Sequence, residues 1–354
     1  MGNEYNRFNS WKVLAFSDRI RQLLRAYKTN GKFPPPVVFH IYPTNLCNRK
    51  CDFCIMRNEQ ENFKASLHRD VLFKAVKDCK RYDVKLIHFS GGGEPTLHPD
   101  LLETMQLCKE GEPKLEVVIS TNGIKLKPEM VKFADDIRIS LNAGTLEMYE
   151  KITNLKDRNS WSTVLDNIAA AIAYRNANFL QCNIGLAFVI TPHNWLDLHN
   201  FCRLGRDLGV DFTHIRPAVY PKGDQRNVAV KRLMADVSGV YEKCKKLYQT
   251  GKFMIFFTTE KFEGYWTPRA YNKCRATPLQ AVLTATGEFI ICQDVFIRFG
   301  NYNKQEFWDI WGSEEHRAAI ERINMDLCPR CVENKHNEII EYIFVQDKVR
   351  LNLI

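Results

Sequence analysis

Short apolar runs rich in β-branched residues alternate with amphipathic stretches, and this alternation constrains the fold more than any other feature of the sequence. Six such runs lie at residues 37–42, 86–90, 116–121, 137–141, 182–190 and 212–215. Helix-like stretches separate them, at residues 69–81, 100–109, 128–133, 145–152, 160–177 and 195–208. Strands separated by helices of this length form βαβ units, which build a parallel sheet. The sequence therefore predicts an α/β fold, a partial (β/α)6 barrel of the TIM type, with ligands bound at the carboxyl ends of the strands.

The pattern changes at both ends of this predicted barrel. Residues 1–36 have helical character and end in three consecutive prolines, which stiffen an extended lead into the first strand. After the sixth run, a basic helical stretch at 230–248 leads to an apolar run at 253–257, and turns and cysteines dominate from there on. We therefore expect a helical arm at 1–36, a core barrel at 37–260 and a small cysteine-rich domain at 261–354.

Charge and cysteine content narrow the functional classes. The formal net charge is +9, but the basic residues are spread along the chain, and neither a dense Lys/Arg block nor a recognition motif indicates a nucleic-acid partner. No apolar run has the length that crosses a bilayer, and the first 25 residues lack the apolar core of a secretion signal, so a cytoplasmic location is expected. In a reducing compartment, 12 cysteines indicate metal ligation or catalysis rather than disulfides.

Three of the cysteines lie on one short segment directly after the first predicted strand. Cys47, Cys51 and Cys54 have the spacing C-x3-C-x2-C. Three thiolates on one loop can bind three irons of a [4Fe–4S] cube and leave the fourth iron open for a substrate or cofactor. The alternatives are a zinc site or unrelated buried thiols, although structural zinc sites usually combine paired C-x2-C units with a fourth ligand.

The next three predicted strands end in small and polar residues. The second ends in Ser-Gly-Gly-Gly-Glu-Pro, the third in Ser-Thr-Asn-Gly and the fourth in Ser-Leu-Asn. Consecutive glycines at a strand end allow a ligand to approach the backbone, and Glu94 supplies an acceptor beside them. All of these groups are expected at the same mouth of the barrel.

With C-x3-C-x2-C followed in order by Gly-Gly-Glu, residues 37–220 resemble the core of the radical S-adenosylmethionine (SAM) superfamily. The resemblance implies that Cys47, Cys51 and Cys54 are the catalytic and metal-ligating residues, and that they hold a [4Fe–4S] cluster whose open iron binds the amino and carboxylate groups of SAM. It implies further contacts with SAM from Phe53 near the adenine, from Gly92, Gly93 and Glu94 at the amino group, and from Ser120, Asn122, Ser140 and Asn142 at the ribose or carboxylate.

Some of these residue types have other common roles. Ser and Asn also cap helices and turns, which is the alternative for the last four residues. Arg216, just after the sixth strand, either pairs with an anion or is a surface charge.

Four further cysteines lie beyond the predicted barrel. Cys274, Cys292, Cys328 and Cys331 can close all four irons of a second [4Fe–4S] cube or hold one zinc. Together with Gly287 and with residues 300–301 and 308–311, they resemble the SPASM and twitch extensions of radical SAM enzymes.

The end of the chain departs from the longer of these two extensions. A full SPASM domain continues with two more cysteines, where this chain has Asn337 and Glu341. The resemblance therefore implies the shorter, twitch-type form with one auxiliary [4Fe–4S] cluster. Because four cysteines would fully ligate that cluster, its expected role is electron transfer or support of the fold.

The resemblance also implies a reaction. In this superfamily the reduced cluster cleaves SAM to a 5′-deoxyadenosyl radical, which abstracts a hydrogen atom from the substrate. The arm before residue 37 is too short for a separate leader-binding domain, so we expect a small polar substrate (a sugar, aminocyclitol or nucleotide derivative) that is oxidised or epimerised. The alternatives are a peptide maturase and, from another class, a zinc-stabilised binding module without enzymatic activity. A flavodoxin- or ferredoxin-like protein is the expected electron donor.

The other cysteines and the histidines near the mouth are expected to be structural. Cys79, Cys108, Cys182, Cys202 and Cys244 fit the role of small buried residues, with hydrogen-atom donation by one of them as the alternative. His88, His98 and His214 fit the role of hydrogen-bonded structural histidines.

Overall fold

A computed structural model describes residues 8–154, 158–220, 223–258, 268–328, 331 and 333–346. The strands of this part are β1 (Val38–Ile41), β2 (Leu86–Phe89), β3 (Glu116–Thr121), β4 (Asp136–Ile139), β5 (Asn183–Ile190), β6 (Phe212–Pro217), β7 (Met254–Phe257), β8 (Gln280–Leu283), β9 (Glu288–Cys292) and β10 (Val295–Asn301). They form one sheet in the order β10-β9-β8-β1-β2-β3-β4-β5-β6-β7. The pairs from β8 through β1 to β7 are parallel, and β9 and β10 are antiparallel additions at one edge.

Helices cover the outer face of this sheet and extend to both ends of the described chain. The α-helices are α1 (Ser17–Thr29), α2 (Arg57–Asn62), α3 (Arg69–Arg81), α4 (Leu101–Lys109), α5 (Leu146–Thr153), α6 (Arg158–Ala177), α7 (Leu198–Leu208), α8 (Gln225–Arg232), α9 (Met234–Tyr248), α10 (Phe307–Ile310), α11 (Glu314–Glu321) and α12 (Glu333–Ile340). Shorter 3-10 segments lie at Ser10–Phe16, Pro95–Leu97, Pro128–Lys132, Trp195–Asp197 and Thr277–Leu279, and a π-helical turn at Glu341–Val345. Within these described ranges, no helix combines the length and the apolar character that a membrane span needs.

Helix α3 illustrates how local sequence sets these elements. Its buried residues include Leu72, Ala75, Val76 and Cys79, which recur at the spacing of one helical face. The ring of His68 caps the first turn by accepting a hydrogen bond from the amide of Asp70. The helix therefore packs one apolar stripe on the sheet and leaves its charged residues in solvent.

The sheet curls, and its concave face forms the interior of a partial barrel. On β6, Thr213 faces Gly205 of α7, so the alternating residues His214 and Arg216 point to the opposite, concave side. The positive charge of Arg216 contributes to lowering the pKa of His88 on β2, behind burial and the charges of His40 and Arg138. In a flat sheet these two strands would lie about 19 Å apart, so only curvature brings the two side chains within electrostatic reach.

The predicted α/β architecture is confirmed, and two of its details need correction. Eight mutually parallel strands are present in the described part, because the apolar runs at Met254–Phe257 and Gln280–Leu283 also join the sheet. The region after residue 268 was expected to be dominated by turns, yet it supplies three strands and three α-helices. The expected boundary near residue 260 lies outside the described residues and stays a prediction.

The C-terminal segment is joined closely to the barrel and to the N-terminal arm. Strand β8 pairs with β1 in parallel, so one sheet runs through both predicted domains. The indole of Trp311 donates to the carbonyl oxygen of Pro34 at 2.9 Å, and a Cβ on Gly312 would lie against Phe33. The five cysteines outside the two predicted cluster groups are all buried, as expected.

Candidate functional site

The loop that follows β1 carries the first cysteine group. Cys47 is exposed, whereas Cys51 and Cys54 are half-buried. Burial is the main cause that raises the pKa of the Cys51 thiol to about 12, and the charges of the Cys54 and Cys47 thiols add to the shift. The three thiols are therefore neighbours that stay protonated at neutral pH until a metal displaces their protons.

The positions of the possible metal ligands distinguish a zinc ion from a [4Fe–4S] cluster. In the described ranges, no three His, Cys, Asp or Glu side chains converge as ligands of a single ion. A tetrahedral zinc site requires such convergence, whereas in a cubic cluster each thiolate binds a different iron. Three closely spaced thiols on one loop therefore fit a [4Fe–4S] cube better than a zinc ion.

Arg49 attaches the cysteine loop to the ends of two other strands. Its side chain is buried, and its guanidinium donates to the carbonyl oxygens of Asn122 at 2.8 Å and Ser140 at 3.2 Å. It also donates to the hydroxyl of Tyr149 and covers the ring of that residue. The positive charge favours the thiolate form of Cys51, against the larger effect of burial. Sequence reasoning missed Arg49, because a single arginine inside the motif carries no signal of what its side chain reaches.

The glycines after β2 pack directly on the cysteine loop. The amide of Gly93 donates to the carbonyl oxygen of Thr44 at 2.7 Å. A Cβ on Gly92 would overlap the side chain of Asn45, and a Cβ on Gly93 would overlap the backbone of Leu46. The close contact between these two protein loops is therefore enough to explain why both positions are glycine. The sequence suggested instead that the glycines let a ligand approach the backbone.

Helix α2, which follows the cysteine loop, connects it to two other parts of the site. The Gln60 amide donates to the carbonyl oxygen of Gly92 at 2.6 Å and lies 3.8 Å from the Cys54 sulfur. The Glu59 carboxylate accepts from the Arg298 guanidinium on β10 at 2.6 and 2.7 Å. The loop is therefore tied both to the end of β2 and to the C-terminal hairpin.

Glu94 holds the end of β3 in position. It is buried, and one carboxylate oxygen accepts from the amide and hydroxyl of Thr96 and from the hydroxyl of Thr121. The other oxygen accepts from the amide of Asn122 at 2.6 Å. Both oxygens thus have protein donors, and a role of Glu94 toward the SAM amino group stays a prediction.

Of the four strand-end residues, the two Asn side chains bond to other parts of the protein, and the two Ser residues lie at the concave face. Asn142 adopts a left-handed backbone with φ of 60°, and its side-chain oxygen accepts from the amide of Val189 at 2.8 Å, as expected of a structural turn. The Asn122 side chain donates to Asn48 of the cysteine loop at 2.6 Å. Ser120 and Ser140 lie half-buried at the concave face. Their expected contacts with ribose or carboxylate stay predictions, as does the contact of the half-buried Phe53 with adenine.

A chain of hydrogen bonds crosses the concave face beneath this mouth. His40 bonds to Gln280 at 3.1 Å and to His88 at 3.1 Å, and His88 bonds to the hydroxyl of Ser120 at 2.8 Å. Burial lowers the pKa of His40 to about 4 and that of His88 well below its usual value, so both rings are neutral at pH 7. Neither His40 nor Gln280 was identified from the sequence, because their proximity depends on the pairing of β1 with strands distant in the chain.

The other two histidines near the mouth differ in their surroundings. His98 is buried and uses both ring nitrogens, toward the carbonyl oxygen of Leu67 at 2.8 Å and the amide of Asp100 at 3.2 Å, which confirms a structural role. His214 bonds to the hydroxyl of Thr258 at 2.7 Å and stacks on Phe8 on the concave face. Phe8 thereby covers part of the barrel interior.

The second cysteine group lies beside β9. Cys274 and Cys292 are buried, and Cys328 and Cys331 are half-buried. Burial is the first cause that raises the pKa of Cys274, to about 11, and of Cys331, and the charges of other cysteines in the group add to both shifts. The fold thus brings together thiols from three separate segments of the chain.

Asn337 and Glu341 occupy the positions at which a full SPASM domain has its next two cysteines, and both bind the segment that begins with Cys274. The Asn337 amide nitrogen donates to the Cys274 sulfur at 3.3 Å, and its oxygen accepts from the amides of Arg275 and Ala276. Glu341 forms an ion pair with Arg275 at 2.7 Å. These contacts fit the expectation that a single auxiliary cluster is present.

Two family models match this arrangement of sites. Residues 41–204 match the model described as the radical SAM superfamily, and residues 274–332 match the model described as SPASM, an iron–sulfur cluster-binding domain. The chain contains a radical SAM domain followed by a SPASM domain. The second match includes all four cysteines of the auxiliary group and ends before Asn337. These matches establish [4Fe–4S] clusters and SAM as the cofactors of this radical SAM chain, while the assignment of individual ligands stays a prediction.

Curated relatives of this radical SAM chain act on different molecules, according to their names. It is 22% identical over 325 residues to a tungsten-containing aldehyde ferredoxin oxidoreductase cofactor-modifying protein of Pyrococcus furiosus, covering 86% of this chain and 88% of the relative. It is 31% identical over 176 residues to a probable GTP 3′,8-cyclase of Saccharolobus islandicus, covering 49% of this chain and 54% of the cyclase. The chain therefore spans about half the length of that cyclase.

Solved structures share the fold of this radical SAM chain. SuiB of Streptococcus suis, bound to the precursor peptide SuiA, matches with a TM-score of 0.64 and 13% identity, covering 94% of this chain and 78% of SuiB. The protein anSMEcpe, with bound AdoMet, matches with a TM-score of 0.60 and 16% identity, covering 90% of this chain and 97% of anSMEcpe. At these identities the similarity is one of fold.

Proposed function

We propose that this radical SAM enzyme abstracts a hydrogen atom from a small polar substrate held against the concave face of the barrel, and that the substrate is oxidised or epimerised. The observation that carries the proposal is the polar lining of that face, formed by the chain from Gln280 through His40 and His88 to Ser120. A lining of neutral histidines and hydroxyls can orient the hydroxyl or amino groups of a small molecule. The names of the curated relatives, which refer to a cofactor and to GTP, also support a small-molecule substrate.

The cysteine loop supplies the site of radical formation in this proposal. Cys47, Cys51 and Cys54 would hold the catalytic cluster, and Arg49 would keep the loop against the ends of β3 and β4. When bound, the reduced cluster and SAM together supply the 5′-deoxyadenosyl radical that takes the hydrogen atom. Cys274, Cys292, Cys328 and Cys331 would hold the auxiliary cluster as an electron acceptor or donor. A flavodoxin- or ferredoxin-like protein would provide the reducing electron.

The first experiment is anaerobic reconstitution with iron and sulfide, followed by reduction and addition of SAM. We expect a brown protein with about eight irons per chain, which two cubes require, and a reduced-cluster electron resonance signal that changes when SAM is added. A colourless protein that retains only zinc would refute the proposal and favour a non-enzymatic binding module.

Two cysteine variants separate the roles of the proposed clusters. We expect Cys47→Ala to abolish reductive cleavage of SAM, because it removes a ligand of the catalytic cluster. Cys328→Ala is expected to retain cleavage of SAM without substrate while blocking turnover, since it removes a ligand of the auxiliary cluster only. Full turnover by the Cys328 variant would exclude an essential auxiliary cluster.

Peptide modification is the second candidate function. The fold match to SuiB, whose structure contains a precursor peptide, favours it. Once a substrate is found, whether small molecule or peptide, mass spectrometry of the product distinguishes oxidation from epimerisation. Oxidation consumes SAM in proportion to product and lowers the product mass by two hydrogens, whereas epimerisation in D2O adds one deuterium without other change.

A further inference from the structure

Arg216 lies within β6 and faces the interior of the barrel, whereas the sequence indicated a position just after the strand. It is part of β6, and its Cα is paired in register with Val189 of β5. It shares the concave face with His214, because Thr213 faces helix α7 and side chains alternate along a strand. The side chain is half-buried and points toward the same interior as the His40–His88 pair.

The guanidinium of Arg216 has no partner in the parts of the chain that the structure describes. It makes no hydrogen bond and no ion pair there, although an arginine carries five N–H donors in a rigid planar fork. Burial lowers the pKa of Arg216, but an arginine stays charged at any physiological pH. A half-buried guanidinium without an ion-pair partner in the described ranges keeps its charge and its N–H donors for an oxyanion.

The neighbouring groups leave this guanidinium available. Arg138 on β4 is the second cation of the interior, and it is already paired with Asp136 at 3.3 Å while it lies over the ring of Phe8. His40 and His88 are neutral and do not compete for an anion. The carboxylate of Asp294, at the turn between β9 and β10, raises the pKa of Arg216 through space but forms no ion pair with it.

From this geometry we propose that Arg216 binds an oxyanion of the substrate, a phosphate or a carboxylate, on the concave face of the barrel. The inference rests on the proposed function only in attributing the oxyanion to the substrate. A planar guanidinium binds both groups with two parallel hydrogen bonds, which fixes the orientation of the ligand as well as its charge. Arg216 is the fifth of the six residues of β6, so this anchor lies near the carboxyl end of its strand, the end at which the cysteine loop follows β1.

SAM also carries a carboxylate, and a binding experiment separates the two sources. Anaerobic calorimetric titrations of the reconstituted protein would use pyrophosphate, malonate and SAM, each with wild type, Arg216→Gln, Arg216→Lys and the surface control Arg203→Gln. Arg203 is exposed on α7 and carries the same charge, so its replacement corrects for the change in net charge.

We expect Arg216→Gln to weaken pyrophosphate or malonate binding by about 10- to 100-fold, the effect of losing a charge-assisted pair. Arg216→Lys should restore part of the affinity, while Arg203→Gln and the binding of SAM should stay within about twofold of wild type. Loss of SAM binding alone would assign Arg216 to the cofactor and overturn the proposal. Unchanged or undetectable binding of both small anions would also overturn it. Cleavage of SAM by the same preparations tests the proposed function separately, because a failed anion site leaves that cleavage intact.

Discussion

Replacing Asn337 by Ala would remove four hydrogen bonds from one buried side chain next to the second cysteine group. Its oxygen accepts from the amides of Arg275 at 2.6 Å and Ala276 at 3.0 Å. Its nitrogen donates to the carbonyl oxygen of Glu333 at 2.9 Å and to the sulfur of Cys274 at 3.3 Å. Because Asn337 is only 2% exposed, water cannot readily replace these partners.

The magnitude follows from the groups left without a partner. Each buried backbone N–H that loses its acceptor costs about 1–3 kcal/mol, so two of them predict a local destabilisation of about 2–6 kcal/mol for Asn337→Ala. Asn337→Asp keeps an acceptor for both amides and removes only the two donors. We expect this variant to lose less stability, while its negative charge disfavours a thiolate at Cys274.

Hydrogen exchange followed by mass spectrometry on the anaerobic holoprotein measures this effect locally. A cost of 3 kcal/mol corresponds to exchange at the Arg275 and Ala276 amides that is about 100-fold faster in Asn337→Ala. Asn337→Asp should exchange at nearly the wild-type rate, and Asn303→Ala, which alters an exposed side chain, serves as the control. Wild-type protection of these two amides in Asn337→Ala would refute the reasoning.

Three further perturbations test other parts of the structure. Arg49→Met should weaken SAM affinity by at least about tenfold in equilibrium binding, because the cysteine loop loses its bonds to two strand ends; Arg49→Lys should recover part of it. Glu59→Gln should lower the free energy of unfolding in urea by about 1–3 kcal/mol, since it removes the negative charge from a partly buried ion pair with Arg298. Burial lowers the pKa of His316 to about 3 in the folded protein, whereas the same ring in the unfolded chain has a pKa of about 6.5. Between these two pH values only the unfolded chain binds the proton, so the free energy of unfolding falls as the pH drops. Between pH 7.5 and 5.5 this residue should contribute about 1.4 kcal/mol to that loss, which His316→Asn removes.

Each of these expectations has an outcome that contradicts it. Unchanged SAM affinity in Arg49→Met would mean that the loop is positioned by other contacts. Equal stability of Glu59→Gln and wild type would show that the ion pair adds nothing beyond its desolvation cost. An unchanged pH dependence in His316→Asn would mean that the buried ring is not neutral in the folded state.

Local elements were largely predictable, because they depend on neighbouring residues. The helix expected at 69–81 is present as Arg69–Arg81, and the strand expected at 116–121 as Glu116–Thr121. Hydrophobic periodicity determines which side of such a segment is buried, whatever it packs against. By contrast, β8 pairs with β1 across more than two hundred residues, and nothing local in either segment indicates that pairing.

The sequence by itself determined the chemistry: three cysteines on one loop, a Gly-Gly-Glu segment and a second group of four cysteines identify the radical SAM superfamily and its cofactors. Only the tertiary structure decided that Arg49 reaches two other strand ends, that Gly92 and Gly93 pack on the cysteine loop, and that Arg216 faces the same interior as His88. The reason is physical. A motif is a property of adjacent residues, whereas the distance between side chains on β2 and β6 depends on the curvature accumulated over every strand between them.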